Sequence, residues 1–248
     1  LKTKIIAHRG ASRLAPENTM PAFELAYKLG ADAIETDVQL TKDNVPVIIH
    51  DEHVRRTTNG KGYIKNFTFQ ALQQLDAGSW FSQKYAGATI VSLDEFLQWI
   101  KPKSLYLNIE LKNNKIDYTN IETIVYEKLR QYQLINRTIL STFNPASVKR
   151  THELHPDINV ALLTSRRNRY LVRDAKQLGA TALHVKYRLL NQSLIDACHE
   201  ENMPVRVYTI NRSIRMQRCF TLESDGIFTD VPDLAIEQRK LFHTEQKH

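Results

Sequence analysis

Ala33-Ile34-Glu35-Thr36-Asp37-Val38-Gln39-Leu40, Thr41-Lys42-Asp43-Asn44 and Val45-Pro46-Val47-Ile48-Ile49-His50-Asp51 follow one another without a break early in the chain. Side chains alternate faces along a strand, so Glu35 and Asp37 share one face while Ile34, Thr36 and Val38 take the other. Four polar residues are far too few for the crossover that a parallel partner needs. The second apolar run is therefore predicted to return antiparallel, as a hairpin. With the turn centred on Asp43-Asn44, the register is expected to set His50 roughly opposite Asp37. Two carboxylates that point together repel unless a cation compensates them, so this segment alone predicts a cation site beside an imidazole.

Ahead of it, Lys4-Ile5-Ile6-Ala7-His8-Arg9-Gly10 reads as a short buried strand that ends at a glycine and delivers His8 and Arg9 to its carboxyl end. Asn18 or Thr19 is suited to cap a helix whose apolar face is Met20, Phe23, Ala26 and Tyr27, and Gly30 stops it. Beyond the hairpin, residues 52–92 break the rhythm with a turn at 57–62, a short helix over 69–75 and the loop Asp76-Ala77-Gly78-Ser79-Trp80-Phe81. Trp80, Phe81 and Tyr85 argue against disorder, so this insertion is expected to form a lid or side wall over one end of the fold.

Regular alternation then resumes. Helices are predicted over 93–100, 118–131, 145–154, 170–178, 192–201, 214–222 and 234–242, and strands over 105–112, 138–143, 159–163, 182–185, 205–210 and 226–229. Leaving out the returning arm of the hairpin, eight strands are each followed by a helix. That is the requirement of an α/β-class (β/α)8 TIM barrel, which typically takes ~250 residues. A doubly wound open sheet is the alternative, but the first strand lacks the glycine fingerprint of a nucleotide fold. A single domain over 1–248 is expected, with the insertion at about 52–92.

Composition narrows the classes. Lys and Arg number 34 against 27 Asp and Glu, a net charge of +7 that favours anionic ligands without choosing among them. A hydrophobic content of 42% excludes wholesale disorder, and no run approaches a membrane span. Cys198 and Cys219 both fall in helical segments, so no disulfide framework is indicated and a cytoplasmic compartment is expected. The chain starts at Leu1 rather than Met, which leaves a removed leader open.

In such barrels active sites lie at the carboxyl ends of the strands, where His8, Arg9, Glu35, Asp37, Glu110 and Lys112 fall. Three carboxylates with no cysteine in reach form an all-oxygen site suited to a hard cation, calcium or magnesium, rather than zinc. His8 and His50 supply proton transfer near neutral pH, and Arg9 and Lys112 supply positive charge for an anionic substrate. Together these are parts for hydrolysis of a phosphate ester. Singly, each has a blander reading: a strand-end histidine is more often structural, and Glu35 and Asp37 can simply pair with Arg9 and Lys112. The coincidence favours chemistry. Phe143, ending its strand, is either a pocket wall or ordinary packing, and Ser165-Arg166-Arg167-Asn168-Arg169 is either an anion guide or a solvated basic loop.

The ordered set His8-Arg9-Gly10, Pro16-Glu17-Asn18-Thr19, Ile34-Glu35-Thr36-Asp37-Val38, Thr41-Lys42-Asp43, His50-Asp51, Arg56-Thr57-Thr58-Asn59-Gly60, Asp76-Ala77-Gly78-Ser79-Trp80, Asn108-Ile109-Glu110-Leu111-Lys112 and Asp225-Gly226-Ile227-Phe228-Thr229-Asp230 resembles the glycerophosphodiester phosphodiesterase family over nearly the whole chain. The resemblance implies a (β/α) barrel with an insertion after the second strand. It also implies one divalent cation, Ca2+ or Mg2+, on Glu35, Asp37 and Glu110, with His8 and His50 as general acid and base and Arg9 and Lys112 on the phosphate. The implied reaction cleaves glycerophosphodiesters to an alcohol and sn-glycerol 3-phosphate, within glycerol and lipid metabolism. Two departures stand out: Tyr208 replaces a Trp common in the family and Val91 replaces a Pro. Tyr208 keeps an aromatic wall but adds a hydroxyl, which bears on substrate preference. A related phosphodiesterase acting on lysophospholipids or phosphoinositides is the competing enzyme reading. A non-catalytic module binding phosphate or nucleic acid is the competing reading from another class, but it needs neither both histidines nor three acids, and no nucleic-acid motif is visible. A small-molecule substrate, no nucleic acid, and a monomer or homodimer are therefore expected.

Overall fold

Strands β1 (Lys4–His8), β2 (Ala33–Leu40), β3 (Pro46–Ile48), β4 (Tyr106–Leu111), β5 (Thr138–Thr142), β6 (Asn159–Thr164), β7 (Ala182–Lys186), β8 (Val205–Tyr208) and β9 (Gly226–Thr229) join in one sheet in a computed structural model that describes residues 3–245. Its order is β1-β9-β8-β7-β6-β5-β4-β2, and β1 pairs β2 to close the ring. Every pair in the ring is parallel; β3 alone is antiparallel and lies outside it on β2. The closed eight-stranded barrel predicted from the strand-helix alternation is what forms.

Helices α1 (Met20–Leu29), α2 (Phe69–Leu72), α3 (Leu93–Ile100), α4 (Ile121–Tyr132), α5 (Pro145–Leu154), α6 (Leu171–Gln177), α7 (Gln192–Glu200), α8 (Ser213–Thr221) and α9 (Pro232–Glu245) accompany the strands. Ile34 and Val38 of β2 face outward into a core shared with Phe23 of α1 and with Phe96 and Leu97 of α3. The rings of Phe23 and Phe96 meet at 4.6 Å. Burying side chains of this size contributes about 1.5–3 kcal/mol each, and that layer holds β2 so that its odd-numbered acids face the lumen. Local caps set the helix starts: Ser92 Oγ accepts from the Glu95 N–H ahead of α3, and Asn191 Oδ1 accepts from the Leu194 N–H ahead of α7. Gly10, at φ +81°, turns the chain directly after β1. A Cβ there would come within 2.6 Å of the Ala22 carbonyl carbon, so only glycine fits.

Three local expectations are corrected. First, the hairpin slips by one residue: Val38 pairs Ile48, and the Ile49 N–H bonds the Asp37 carbonyl, so Ile49 rather than His50 lies opposite Asp37. Pairing stops at Ile48 and the chain bends, which still carries His50 to the barrel mouth. Second, Thr19 stands at the start of α1, but its hydroxyl donates to the Pro16 carbonyl and caps nothing; the Asn18 side chain turns to the site instead. Third, α4 begins at Ile121, not Tyr118, because the buried Tyr118 hydroxyl reaches across to Gln39 Oε1 at 2.8 Å.

Between β3 and α3 the chain forms short helical turns at Val54–Arg56, Ile64–Asn66, Phe69–Leu72 and Gln83–Tyr85. They pack around Val54, Ile64, Leu72 and Ile90, a small apolar cluster of their own beside β3. Cys198 and Cys219 are buried and free within α7 and α8, where burial pushes both thiols up to about 12. No helix among the described residues is long and apolar enough to cross a membrane.

Candidate active site

Register and alternation together assemble the site. His8 at the end of β1 pairs Glu35 of β2, and Asp37 two residues on pairs Glu110 of β4, so one imidazole and three carboxylates line adjacent positions of the barrel mouth. His8, Glu35 and Glu110 border a cavity of about 390 Å³ that is also lined by Arg9, His50, Lys112, Phe143 and Tyr208. Asp37 itself is fully buried behind it.

One oxygen from each of Glu35, Asp37 and Glu110 lies within 4.8 Å of the other two. The set fits a hard divalent cation: all donors are carboxylate oxygens, and Asp37 Oδ1 is buried with no hydrogen-bond partner among the described residues. Asn18 Nδ2 donates to the other oxygen, Oδ2, at 2.9 Å, and Thr36 Oγ1 donates to Asn18 Oδ1 at 2.9 Å, so Asp37 is held in one orientation. Glu35 Oε2 accepts from the Arg9 N–H at 2.9 Å; Arg9 adopts φ +58° there.

Electrostatics separate the two acids of β2. Burial first, and Asp37 second, push the Glu35 carboxyl up to about 8. Burial raises Asp37 as well, but Arg9 and then Lys112 outweigh it and hold that carboxyl well below the usual range. Lys112 Nζ sits 2.7 Å from Glu110 Oε1 and 3.8 Å from Asp37 Oδ1. Arg9 Nη1 donates to Glu17 Oε1 at 2.9 Å, while Nη2 has no partner among the described residues.

Each histidine has its Nδ1 tied to a carboxylate: His8 to Asp230 Oδ1 and His50 to Asp51 Oδ1, both at 2.6 Å. That leaves both Nε2 atoms without a protein partner among the described residues. Asp230 is in turn fixed by Asn211 and Ser12, at 2.5 and 3.2 Å, and Asp51 by Arg56, whose guanidinium also reaches Glu17. A chain of ion pairs thus runs from Asp51 through Arg56 and Glu17 to Arg9 and Asp37, and His50 is hydrogen-bonded to its first member. Burial lowers His8, but Glu35 and then Asp230 outweigh it and raise its pKa.

Glu17, Asp51, Arg56 and Asp230 have no role that the sequence motifs containing them reveal, and Asn18 reads there only as a helix cap. Their usable signal was adjacency to the site strands: Asp51 directly follows His50, and Asp230 directly follows β9. Phe143 and Tyr208 face each other edge-on at 6.0 Å, and the Tyr208 hydroxyl donates to the Thr164 carbonyl at 2.9 Å. Trp80 and Phe81 of the insertion flank His8, Arg9 and Asp230 in an adjoining recess of about 340 Å³. The basic run Arg166, Arg167 and Arg169 is not brought to the catalytic cavity; it is exposed and lines a separate hollow of about 930 Å³.

The model of the glycerophosphoryl diester phosphodiesterase family matches residues 8–234. The chain is 39% identical over 236 residues to a glycerophosphodiester phosphodiesterase of Caldanaerobacter subterraneus, covering 95% of this chain and 97% of that one. It is 39% identical over 245 residues to one of Bacillus altitudinis, covering 96% and 98%. Among solved structures, an Oleispira antarctica phosphodiesterase in complex with the product sn-glycerol-3-phosphate superposes with a TM-score of 0.87 at 30% identity, over 96% of both chains. The chain belongs to the glycerophosphoryl diester phosphodiesterase family, and it is a phosphoric diester hydrolase.

Proposed function

We propose that the chain hydrolyses glycerophosphodiesters to an alcohol and sn-glycerol 3-phosphate, with His8 and His50 moving the protons and Glu35, Asp37 and Glu110 holding one calcium or magnesium ion. The observation that carries this reading is the pair of carboxylate-anchored imidazoles bordering one cavity with a three-carboxylate cluster. A bound cation of this kind supplies Lewis-acid stabilisation of charge growing on the phosphoryl group.

The chain's own groups do the rest. Asp230 and Asp51 fix the tautomer and ring plane of their histidines, so that Nε2 of each faces the ester. One Nε2 accepts the proton of the attacking group, water directly or the glycerol hydroxyl with water opening the cyclic ester in a second step, and the other donates to the departing alkoxide. Lys112 Nζ and the unpaired Arg9 Nη2 offer charge-assisted hydrogen bonds to the phosphate oxygens. Phe143 and Tyr208 form an aromatic wall for an organic group of the substrate, and Trp80 and Phe81 narrow the opening near His8.

The test is release of glycerol 3-phosphate from a panel of glycerophosphodiesters, with EDTA and cation add-back. Release that stops with chelator and returns with Ca2+ or Mg2+ is expected; chelator-resistant release sinks the cation assignment, and no release from any member sinks the substrate class.

Two further outcomes follow from the geometry. A Glu35 carboxyl at about 8 must lose its proton to become a ligand, so cation affinity should climb roughly tenfold per pH unit until about pH 8 and then level off. Calcium titrations in buffers of different ionisation enthalpy should show about one proton released per ion near neutrality; pH-independent affinity contradicts this. Enlarging the wall by Tyr208→Trp should re-order kcat/KM among leaving alcohols several-fold while leaving the cation requirement intact. An unchanged ranking would remove Tyr208 from the substrate-binding surface.

A further inference from the structure

The barrel's other end carries a second set of charges. Lys4 of β1 and Arg206 of β8 lie on the lumen-facing sides of their strands, two residues below Ile6 and Tyr208 respectively. They line a cavity of about 390 Å³ at the amino ends of the strands, together with Arg137, Asn159 and Asn202, and no Asp or Glu lines it among the described residues. A lining with cations and no acid is the reverse of the catalytic mouth, where Arg9 and Lys112 are paired with carboxylates.

Arg206 is the central observation. Its only side-chain hydrogen bond among the described residues goes from Nη1 to His184 Nε2 at 3.2 Å, and His184 is fully buried. Burial, and after it Arg206 itself, hold that imidazole neutral, so it accepts a hydrogen bond but brings no compensating charge. The acid that Arg206 feels is Asp225, whose Oδ2 is already taken by the Val205 N–H at 2.8 Å and by His199 at 3.0 Å. The guanidinium stays charged at any physiological pH, yet it has no ion pair among the described residues. Replacing such a charge by an apolar side chain is generally neutral or stabilising, so fold stability does not explain it.

Its surroundings are shaped for it. A Cβ on Gly226 would lie 3.3 Å from Cγ and Cδ of Arg206 and 3.2 Å from Ile6 Cδ1, so the missing side chain leaves the track along which the arginine stem runs. Lys4 Nζ rests 3.4 Å from the centroid of the Tyr106 ring at the rim, with no carboxylate partner among the described residues. Arg137 differs, since its guanidinium is saturated by the carbonyls of Ile100, Lys101 and Leu105; it is wall, not receptor.

We propose that this floor cavity is an anion site for one phosphate group, either inorganic phosphate or a small phosphate monoester, gripped by Arg206 from within and by Lys4 at the rim. The planar guanidinium offers paired N–H donors that match phosphate oxygens, and the ammonium adds a mobile point charge. A cavity of about 390 Å³ has room for one phosphate group with a small organic substituent.

Calorimetric titration of the whole chain with inorganic phosphate tests it, using a Lys112→Met background so that binding at the catalytic mouth is weakened. One phosphate per chain is expected there, with affinity falling roughly tenfold or more on adding Arg206→Met and by a lesser factor on adding Lys4→Met. Lys4 is at the rim, so its variant keeps the test valid if Arg206→Met misfolds; circular dichroism identifies that case. A parallel titration with glycerol 3-phosphate separates the two sources: tighter binding than inorganic phosphate, equally sensitive to Lys4→Met, assigns the monoester, and weaker binding assigns free phosphate. Undiminished phosphate affinity in folded Lys4→Met and Arg206→Met chains overturns the site. So does an absence of phosphate binding in the Lys112→Met background.

Discussion

His8→Ala and His50→Ala are each expected to fold, to bind cation about as tightly as the parent, and to turn over a glycerophosphodiester ~10²–10⁴ times more slowly. The reason lies in which atoms are engaged. Neither imidazole belongs to the carboxylate cluster, whose three oxygens already converge, and hard cations prefer oxygen to imidazole nitrogen. Both Nδ1 atoms are bound to carboxylates, so each histidine has one free nitrogen and one job. His8 is the expected proton donor, because its pKa is raised and the Asp230 carboxylate bonded to its Nδ1 favours the imidazolium whether or not a cation sits on Glu35. The sign follows: a raised histidine pKa keeps the donor loaded at low pH and loses it as pH rises through that value, so His8 governs the alkaline limb of kcat. A nitrophenyl leaving group needs no proton and should rescue His8→Ala but not His50→Ala. Rescue of His50→Ala alone reverses the two roles, and restoration of either variant by excess cation removes the separation between proton transfer and cation binding.

Glu35→Gln, Asp37→Asn and Glu110→Gln are expected to behave in the opposite way, losing cation affinity and turnover together. Each keeps the shape of the side chain but removes one of three negative charges from an all-oxygen site, and hard-cation affinity depends on that charge count. A weakening on the order of a hundredfold is expected, with activity recovering in part at high cation concentration, which the histidine variants should not do. Asp37→Asn should have the largest side effect. Arg9 and Lys112 would then each lose one of the two carboxylates that compensate them, and Asn18 would face an amide in place of its acceptor. Urea unfolding should show that cost as a lowered midpoint in Asp37→Asn beyond any shift in Glu110→Gln. Unaltered calcium binding in all three variants would refute the cluster as the cation site.

Much of this was legible in one dimension because it depends on short periods. Alternation along β2 puts Glu35 and Asp37 on one face whatever the rest of the chain does, and strand-helix alternation leads to a closed parallel barrel because few other arrangements bury such elements. The convergence of His8, Glu35, Asp37 and Glu110 was readable for the same reason: all four terminate or lie in strands whose carboxyl ends meet by topology. What the sequence could not convey is whatever depends on closing the ring and on loop paths. The hairpin register shifted by one residue because a turn's bonding, not its composition, sets pairing; Thr41 Oγ1 and Asp43 pull the turn tight, and His50 reaches the mouth through a bend beyond β3.

The partners that orient the histidines come from still farther away. Asp230 meets His8 across 222 residues, and Arg56 meets Glu17 across 39, distances over which no local pattern carries information. Arg206 shows the limit most clearly: in sequence it is one charged residue in a short strand, and only the closed lumen reveals that its guanidinium enters an acid-free cavity beside a neutral histidine. Faces and elements are local consequences of backbone geometry, so the sequence by itself determined them. Counterions and registers are global consequences of which strand ends up beside which, so only the tertiary structure decided them.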